Sequence, residues 1–444
     1  MPFATRTRTL ARTPARSRLR APARGGVAHR PALLALGSAA LLAVTAAVPP
    51  ASAAADAPAA SAASGRVVLD WYDTTAETVA AAPAPTQVTN SRTWAIGWLA
   101  AARAVREAPP GRDRAAFRDA ALASALHDAL AALVPARRAE LDAALAATLA
   151  EVPDGAAEDR GVAAGARQAR AALAERAGDG LDPASVNAPF PTPAAAPGVW
   201  QPTPDGYAPA VQYGNRVARP FLLDSPAQYR LGPPPALDSR RYREDLEEVR
   251  AYGAADSGVR TARQTETANF WYGSSLTLYT EPLRVAVERS PRGPQGRTEL
   301  IALFHAALVD TQIATSDSKY AHVRWRPVTA IRTGSLGTDP AWRPLHQTPA
   351  HPDYPSGHAT YAGAAEALLT AVTGSRTAPF RLTSATAPGV ERTYTAWRTL
   401  TRENVDARVW SGIHSRTADE AGVRLGRAVG EHALRRAELL FDVR

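Results

Sequence analysis

Lys319 is the only lysine in this 444-residue sequence, although lysine and arginine together number 51. Where composition has drifted to arginine, a surviving lysine marks a position that needs a compact ammonium rather than a planar guanidinium. Arg326-Pro327 follows, then Pro355-Ser356-Gly357-His358, then Arg408 and His414. Singly, each piece has an ordinary reading as a turn, a helix start or a structural histidine. Together they supply what a tetrahedral or trigonal-bipyramidal oxyanion requires, namely fixed cations and N–H donors from several directions. Arg326 and Arg408 offer forked donors and Lys319 a point charge. A helix beginning near Ser356 adds a hydroxyl, the Gly357 N–H and the positive end of its dipole. His358 then stands beside the anion as an acid/base group.

These residues need a helical frame. Residues 90–176 are rich in Ala, Leu and Arg at helical spacing, with Trp94, Trp98, Ala101, Ala102 and Val105 on one stripe and breaks near Pro135 and Pro153. Residues 181–235 are dominated by Pro and Gly and read as an extended connecting arm on the surface. Helical periodicity resumes at Asp238, with Ser239 as a cap, and continues through 298–319, 361–372 and 421–440. Arg408 and His414 would not share a face of an unbroken helix, and Gly412 permits a break between them. Thr417 with Glu420 is a capping box that starts the last helix after His414 and leaves that imidazole in a loop. Alternating strands and repeats are not evident. The expected fold class is all-α, built from antiparallel helix bundles. Its segments are a signal peptide at 1–53, an N-terminal helical scaffold at 54–180, the arm at 181–235 and a catalytic bundle at 236–444.

Residues 1–53 hold eight arginines and no acid, an apolar stretch at 32–48 and an Ala51-Ser52-Ala53 site, which together predict secretion. The apolar stretch is shorter than a membrane span, so no stable span is expected. Cleavage would take the formal charge from +9 to about +1, which removes the electrostatic case for a nucleic-acid partner. The sequence has no cysteine, which excludes disulfides and thiol catalysis, and Met1 is its only methionine. GC-rich codon usage accounts for a sulfur-free mature chain, and so would selection in an enzyme that releases a strong oxidant.

In order and spacing, Lys319, Arg326-Pro327, Pro355-Ser356-Gly357-His358 and Arg408 with His414 resemble the signature K-x6-RP, PSGH, R-x5-H. Vanadium-dependent haloperoxidases and type 2 phosphatidic acid phosphatases share it. The stretches Trp325-Arg326-Pro327-Val328, His351-Pro352-Asp353-Tyr354-Pro355 and Asp419-Glu420-Ala421-Gly422 look closer to secreted bacterial haloperoxidase-like proteins. The resemblance implies a helical bundle of the vanadium haloperoxidase/acid phosphatase type. It also implies vanadate bonded to His414 and held by Lys319, Arg326, Ser356, Gly357, His358 and Arg408. His358, Lys319 and His414 would be the catalytic residues, with hydrogen peroxide, halide and a small organic acceptor as partners. His351 would lie on the halide side, favour bromide and change activity as it titrates. The alternatives are a phosphomonoesterase, with phosphate in the pocket and His414 attacking phosphorus, and an exported oxyanion-binding protein. Three positions depart from the family pattern. Ser316 stands where an aromatic is frequent, and Ala407 stands where a serine precedes the arginine. Residues 270–274 contain no acid to match the carboxylate that pairs with the arginine in fungal chloroperoxidases, so Arg408 is expected to lack that partner.

Overall fold

A 29-residue helix rich in Ala, Leu and Ile, Pro294–His322, runs through the centre of the molecule. It starts with Pro at its first turn, where a missing N–H costs nothing, and would span about 44 Å. The sequence suggests a single apolar stripe. Instead the helix is buried on most sides from Thr298 to Tyr320, polar residues included. The computed structural model describes residues 57–442. The predicted signal segment at 1–53 lies outside them.

In chain order the helices are α1 (Ala57–Ala81), α2 (Gln87–Arg106), α3 (Arg114–Leu133), α4 (Arg138–Leu149), α5 (Ala156–Glu175), α6 (Pro183–Val186), α7 (Arg240–Gly253), α8 (Ala262–Phe270), α9 (Ser275–Arg289), α10 (Pro294–His322), α11 (Pro327–Thr333) and α12 (Gly357–Thr373). A hairpin of β1 (Arg376–Thr383) and β2 (Glu391–Ala396) follows, then α13 (Trp397–Trp410), α14 (Arg416–Arg435) and α15 (Glu438–Phe441). The fold is thus all-α apart from this one antiparallel pair among the described residues. The hairpin was not expected from the sequence. Its two strands turn Phe380, Leu382, Arg392 and Tyr394 inward, while the rest is exposed apart from the half-buried Thr377 and Ala396.

One hydrophobic core joins Trp71, Trp94 and Trp98 of α1 and α2 to Leu308 of α10, Tyr361 of α12 and Trp397 of α13. Each fully buried leucine, such as Leu126 or Leu308, contributes about 1.5–3 kcal/mol. The arm at 181–235 is irregular, as its composition predicts, but it is not confined to the surface. It buries Trp200, Asn215 and Leu222. The Asp310 carboxylate on α10 accepts the backbone N–H groups of Phe221, Leu222 and Leu223 at 2.6, 2.7 and 2.9 Å. At the other end of the core, α14 crosses α12 in backbone contact. A Cβ on Gly422 would stand 2.7 Å from the Ser356 carbonyl oxygen, so only glycine allows this approach. The crossing brings the first turn of α14 beside the first turn of α12. No helix among the described residues is long and apolar enough to cross a membrane.

Candidate oxyanion site

Five helix ends meet at the candidate residues. Lys319 occupies the last turn of α10, where a cation complements the helix dipole, and Val323 ends the helix in a left-handed conformation. The Lys319 side chain is buried, and Nζ donates to the carbonyl oxygens of Pro352 and Asp353 at 2.6 and 3.3 Å. Arg326 is the residue before Pro327, which keeps it extended and makes it the N-cap of α11. Its guanidinium is fully buried. Nε donates to the His351 carbonyl at 2.7 Å, Nη1 to the Ile413 carbonyl at 2.7 Å and Nη2 to His351 Nδ1 at 3.0 Å.

Ser356 caps α12, its Oγ accepting from the Ala359 N–H, so the Gly357 and His358 amides form the positive end of that helix. A Cβ built on Gly357 would meet only Thr315 Cγ2, at 3.9 Å, which leaves its face open to a ligand. His358 Nε2 donates to the Gly273 carbonyl at 2.9 Å, and this bond leaves Nδ1 as the acceptor. Arg408, in the last turn of α13, donates to the Trp271 carbonyl and lies 6.0 Å from the Tyr272 ring centroid. Its buried Nε has no partner among the described residues. The Trp271 indole N–H is held by Glu403 at 3.1 Å, which also accepts from Arg392 and Tyr394, so the hairpin buttresses the Arg408 contact.

His414 lies in the turn between α13 and α14. Gly412 makes that turn possible, with φ of 77° and Pro344 Cβ 2.9 Å from where its own Cβ would be. The expected break therefore exists. The cap of α14, however, is Ser415 rather than Thr417, because the Ser415 Oγ accepts from the Ala418 N–H and donates to Asp353 Oδ2 at 2.8 Å. Asp353 Oδ1 faces His414 Nδ1 at 2.6 Å. The carboxylate accepts the Nδ1 proton and leaves Nε2 as the nitrogen with the free lone pair, 3.1 Å from Arg326 Nη1, which also lies 3.3 Å from Nδ1.

Electrostatics tie the cluster together. Burial, reinforced by Arg326, lowers the Lys319 ammonium well below its usual range, with Asp353 and Asp419 opposing. Burial brings Arg326 and Arg408 down to about 10. His358 is pushed down to about 3 by burial and then by Arg408, so it is a neutral base across the ordinary pH range. His414 and His351 are also lowered well below the usual imidazole range, by burial first and then by Arg326 and Lys319. The sequence suggested that His351 titrates under working conditions. Arg326 donates to its Nδ1 and holds it neutral, which moves that titration to much lower pH.

All seven candidate positions that could hold an oxyanion are thus placed around α12's first turn, with His351 beside Arg326. Sequence reasoning missed Asp353 and Asp419. Asp353 sits within the quoted His351 to Pro355 stretch, but nothing local says that its partner is 61 residues away. Asp419, fully buried on α14, raises the Arg408 pKa and interacts with Ser356. Arg408 therefore has a carboxylate neighbour after all, supplied by α14 rather than by residues 270–274. Ser316 leaves its wall polar, as expected, and accepts from Asn215 Nδ2 of the arm at 3.3 Å.

Residues 299–443 match the family model described as the VCPO second helical-bundle domain. A comparison with curated protein sequences gave no match. Among solved structures the chain is similar to a bacterial vanadium-dependent iodoperoxidase, with a TM-score of 0.67 and 24% identity over 85% of this chain and 96% of that one. It is also similar to the apo form of a bacterial vanadium-dependent chloroperoxidase, with a TM-score of 0.67 and 18% identity over 82% of this chain and 97% of that one. For the holo form of a bacterial vanadium-dependent chloroperoxidase the TM-score is 0.62 and the identity 17%, over 82% and 94%. Residues 299–443 belong to the vanadium haloperoxidase superfamily, and the described chain has its helical fold.

Proposed function

We propose that this chain is an exported vanadium-dependent haloperoxidase that oxidises halide with hydrogen peroxide, bromide in preference to chloride. The observation that carries the reading is the set of three buried cations, Lys319, Arg326 and Arg408, gathered at a helix N-terminus beside the Nε2 lone pair of His414. Buried like charges repel; Asp353 and Asp419 offset part of that charge, and a bound oxyanion would offset the rest. The unpartnered Arg408 Nε and the open face of Gly357 fit the same group. The likeness to proteins described as vanadium iodoperoxidase and chloroperoxidases supports vanadate as that oxyanion. The sulfur-free mature chain fits an oxidising product, and the arginine-rich, apolar start of the sequence supports export.

When bound, vanadate supplies a Lewis-acidic centre that activates hydrogen peroxide toward halide without changing its oxidation state. The chain's own part is positioning and proton handling. Asp353 keeps the His414 proton on Nδ1, so that Nε2 is the ligand atom. Lys319, Arg326 and Arg408 hold the anion, with the Ser356 hydroxyl and the Gly357 N–H. His358, fixed through Nε2 to the Gly273 carbonyl, accepts the peroxide proton at Nδ1. His351, a neutral imidazole held by Arg326, forms the halide wall.

The His414–Asp353 pair would equally suit a phosphomonoesterase in which Nε2 attacks phosphorus and His358 protonates the leaving alcohol. Phosphate-free protein given orthovanadate should brominate a phenol-type dye with peroxide and leave nitrophenyl phosphate intact. Hydrolysis without bromination would favour the phosphatase.

A further inference from the structure

Residues 271–273, in the short connection between α8 and α9, hold two of the pocket groups from behind. The Trp271 carbonyl accepts from Arg408, and the Gly273 carbonyl accepts from His358 Nε2 at 2.9 Å. Between them the Tyr272 ring lies 6.0 Å from the Arg408 guanidinium. One piece of irregular backbone therefore aims both a cation and the acid/base imidazole. No helix or sheet ladder sets the direction of these carbonyls, so whatever fixes the segment fixes Arg408 and His358 as well.

Tyr272 is tied on the outer side, where its hydroxyl donates to the Gln347 carbonyl at 3.3 Å and its ring stacks on His346. The anchor on the inner side is the Trp271 indole, which is fully buried and donates to Glu403 Oε2 at 3.1 Å. The same oxygen accepts from Arg392 Nη1 at 2.6 Å and from the Tyr394 hydroxyl at 2.7 Å. Arg392 Nη2 in turn donates to Glu266 and Thr267 of α8 at 3.0 and 2.8 Å. The hairpin thus holds the carboxylate and the end of α8 in one network, and a carboxylate oxygen with three donors has little freedom to turn.

Glu403 and Arg408 are five residues apart on α13, about 140° around the helix, so they leave it in different directions. Both nevertheless end on Trp271, one at the indole N–H and the other at the carbonyl oxygen. Gripped at two points by one helix, Trp271 cannot turn without breaking one of these bonds. The Gly273 carbonyl, two residues on, inherits that orientation. Among the described residues Glu403 bonds only to Trp271, Arg392 and Tyr394, and to no cation of the pocket.

We propose that Glu403 is a positioning residue of the oxyanion site, acting through the Trp271 indole to set the direction of the Arg408 fork and the Nε2 contact of His358. The role rests on the reading of the pocket as a vanadate site. Two effects of opposite sign separate positioning from charge. Loss of a negative charge near the pocket would by itself tighten an oxyanion, whereas release of Trp271 loosens the groups that hold it.

The test is a calorimetric titration of the phosphate-free full chain with orthovanadate, with thermal unfolding of each sample to show that it is folded. Glu403→Ala and Trp271→Phe should each bind about tenfold more weakly than wild type, the lower end of the loss that follows removal of an outer partner. Glu403→Gln keeps an oxygen for the indole N–H and should bind nearly as well as wild type. The double variant Glu403→Ala/Trp271→Phe should bind no more weakly than either single one, because both break the same link. Losses that add, unchanged or tighter binding in Glu403→Ala, or Glu403→Gln as weak as Glu403→Ala overturn the positioning role. Should Glu403→Ala not fold, wild-type affinity in Trp271→Phe overturns it, and a tenfold loss there with Glu403→Gln intact supports it. Wild type without orthovanadate affinity sinks the vanadate reading and this role together. Wild-type binding that Glu403→Ala leaves unchanged sinks this role alone.

Discussion

Asp353→Asn changes a carboxylate into an amide of nearly the same size at the residue that accepts the His414 Nδ1 proton at 2.6 Å. Two consequences oppose each other. The pocket loses a negative charge beside Lys319 and Arg326, which on field strength alone would tighten any oxyanion. The imidazole also loses the acceptor that fixes its tautomer, and an amide N–H turned toward Nδ1 would move the proton to Nε2. A hydrogen bond to a charged group is worth about 1.5–3 kcal/mol, and losing a ligand's outer partner lowers metal affinity roughly 10–100-fold. At about 1.4 kcal/mol per tenfold those ranges agree. Orthovanadate binding, measured by calorimetry on phosphate-free protein, should therefore weaken by about one to two orders of magnitude in Asp353→Asn. Phosphate, held without a bond to His414, should bind as well as before or better. Vanadate affinity that is unchanged or tighter in the variant would refute the role given to Asp353, because only the field effect would remain.

Lys319→Arg keeps the charge but cannot place a planar fork where Nζ sits between the Pro352 and Asp353 carbonyls, so bromide turnover should fall far more than vanadate affinity. Equal loss of both would show that Lys319 contributes charge alone. His351→Phe should lower the ratio of bromide to chloride turnover, and an unmoved ratio would make that residue structural. Asp310→Ala leaves three backbone N–H groups of the arm without their acceptor and should cost about 3 kcal/mol or more in denaturant unfolding. A shift below about 1 kcal/mol, within the range of a single ordinary hydrogen bond, would mean the arm finds other partners.

Periodicity and caps made much of the helical frame legible: α2, α7 with its Ser239 cap, and α12 with its Ser356 cap all begin and end close to their local signals. The Gly412 break was readable because only that residue lets α13 stop before His414. What escaped depends on distant partners. The hairpin carries few inward side chains, and the burial of Arg392 makes sense only with Glu403 and Glu266 in place. Proline content suggested that the arm lies outside, while its anchoring is decided by Asp310, nearly ninety residues away. The Thr417–Glu420 pattern points to Thr417 as the cap by sequence, while Ser415 takes that place because its hydroxyl is held by the distant Asp353. Asp419 was overlooked as a neighbour of Arg408 because the glycine-lined crossing of α12 and α14 sets that proximity.

We propose that Lys319, Arg326, Arg408 and His414 form a vanadate site that supports halide oxidation. It is tested most directly by titrating phosphate-free protein with orthovanadate while following bromination of a phenol dye in the same samples, for wild type and His414→Ala. Wild type should saturate at one vanadate per chain, with bromination rising in step, and His414→Ala should lose both together. Vanadate bound at that stoichiometry with no bromination, or bromination that survives in His414→Ala, would contradict it.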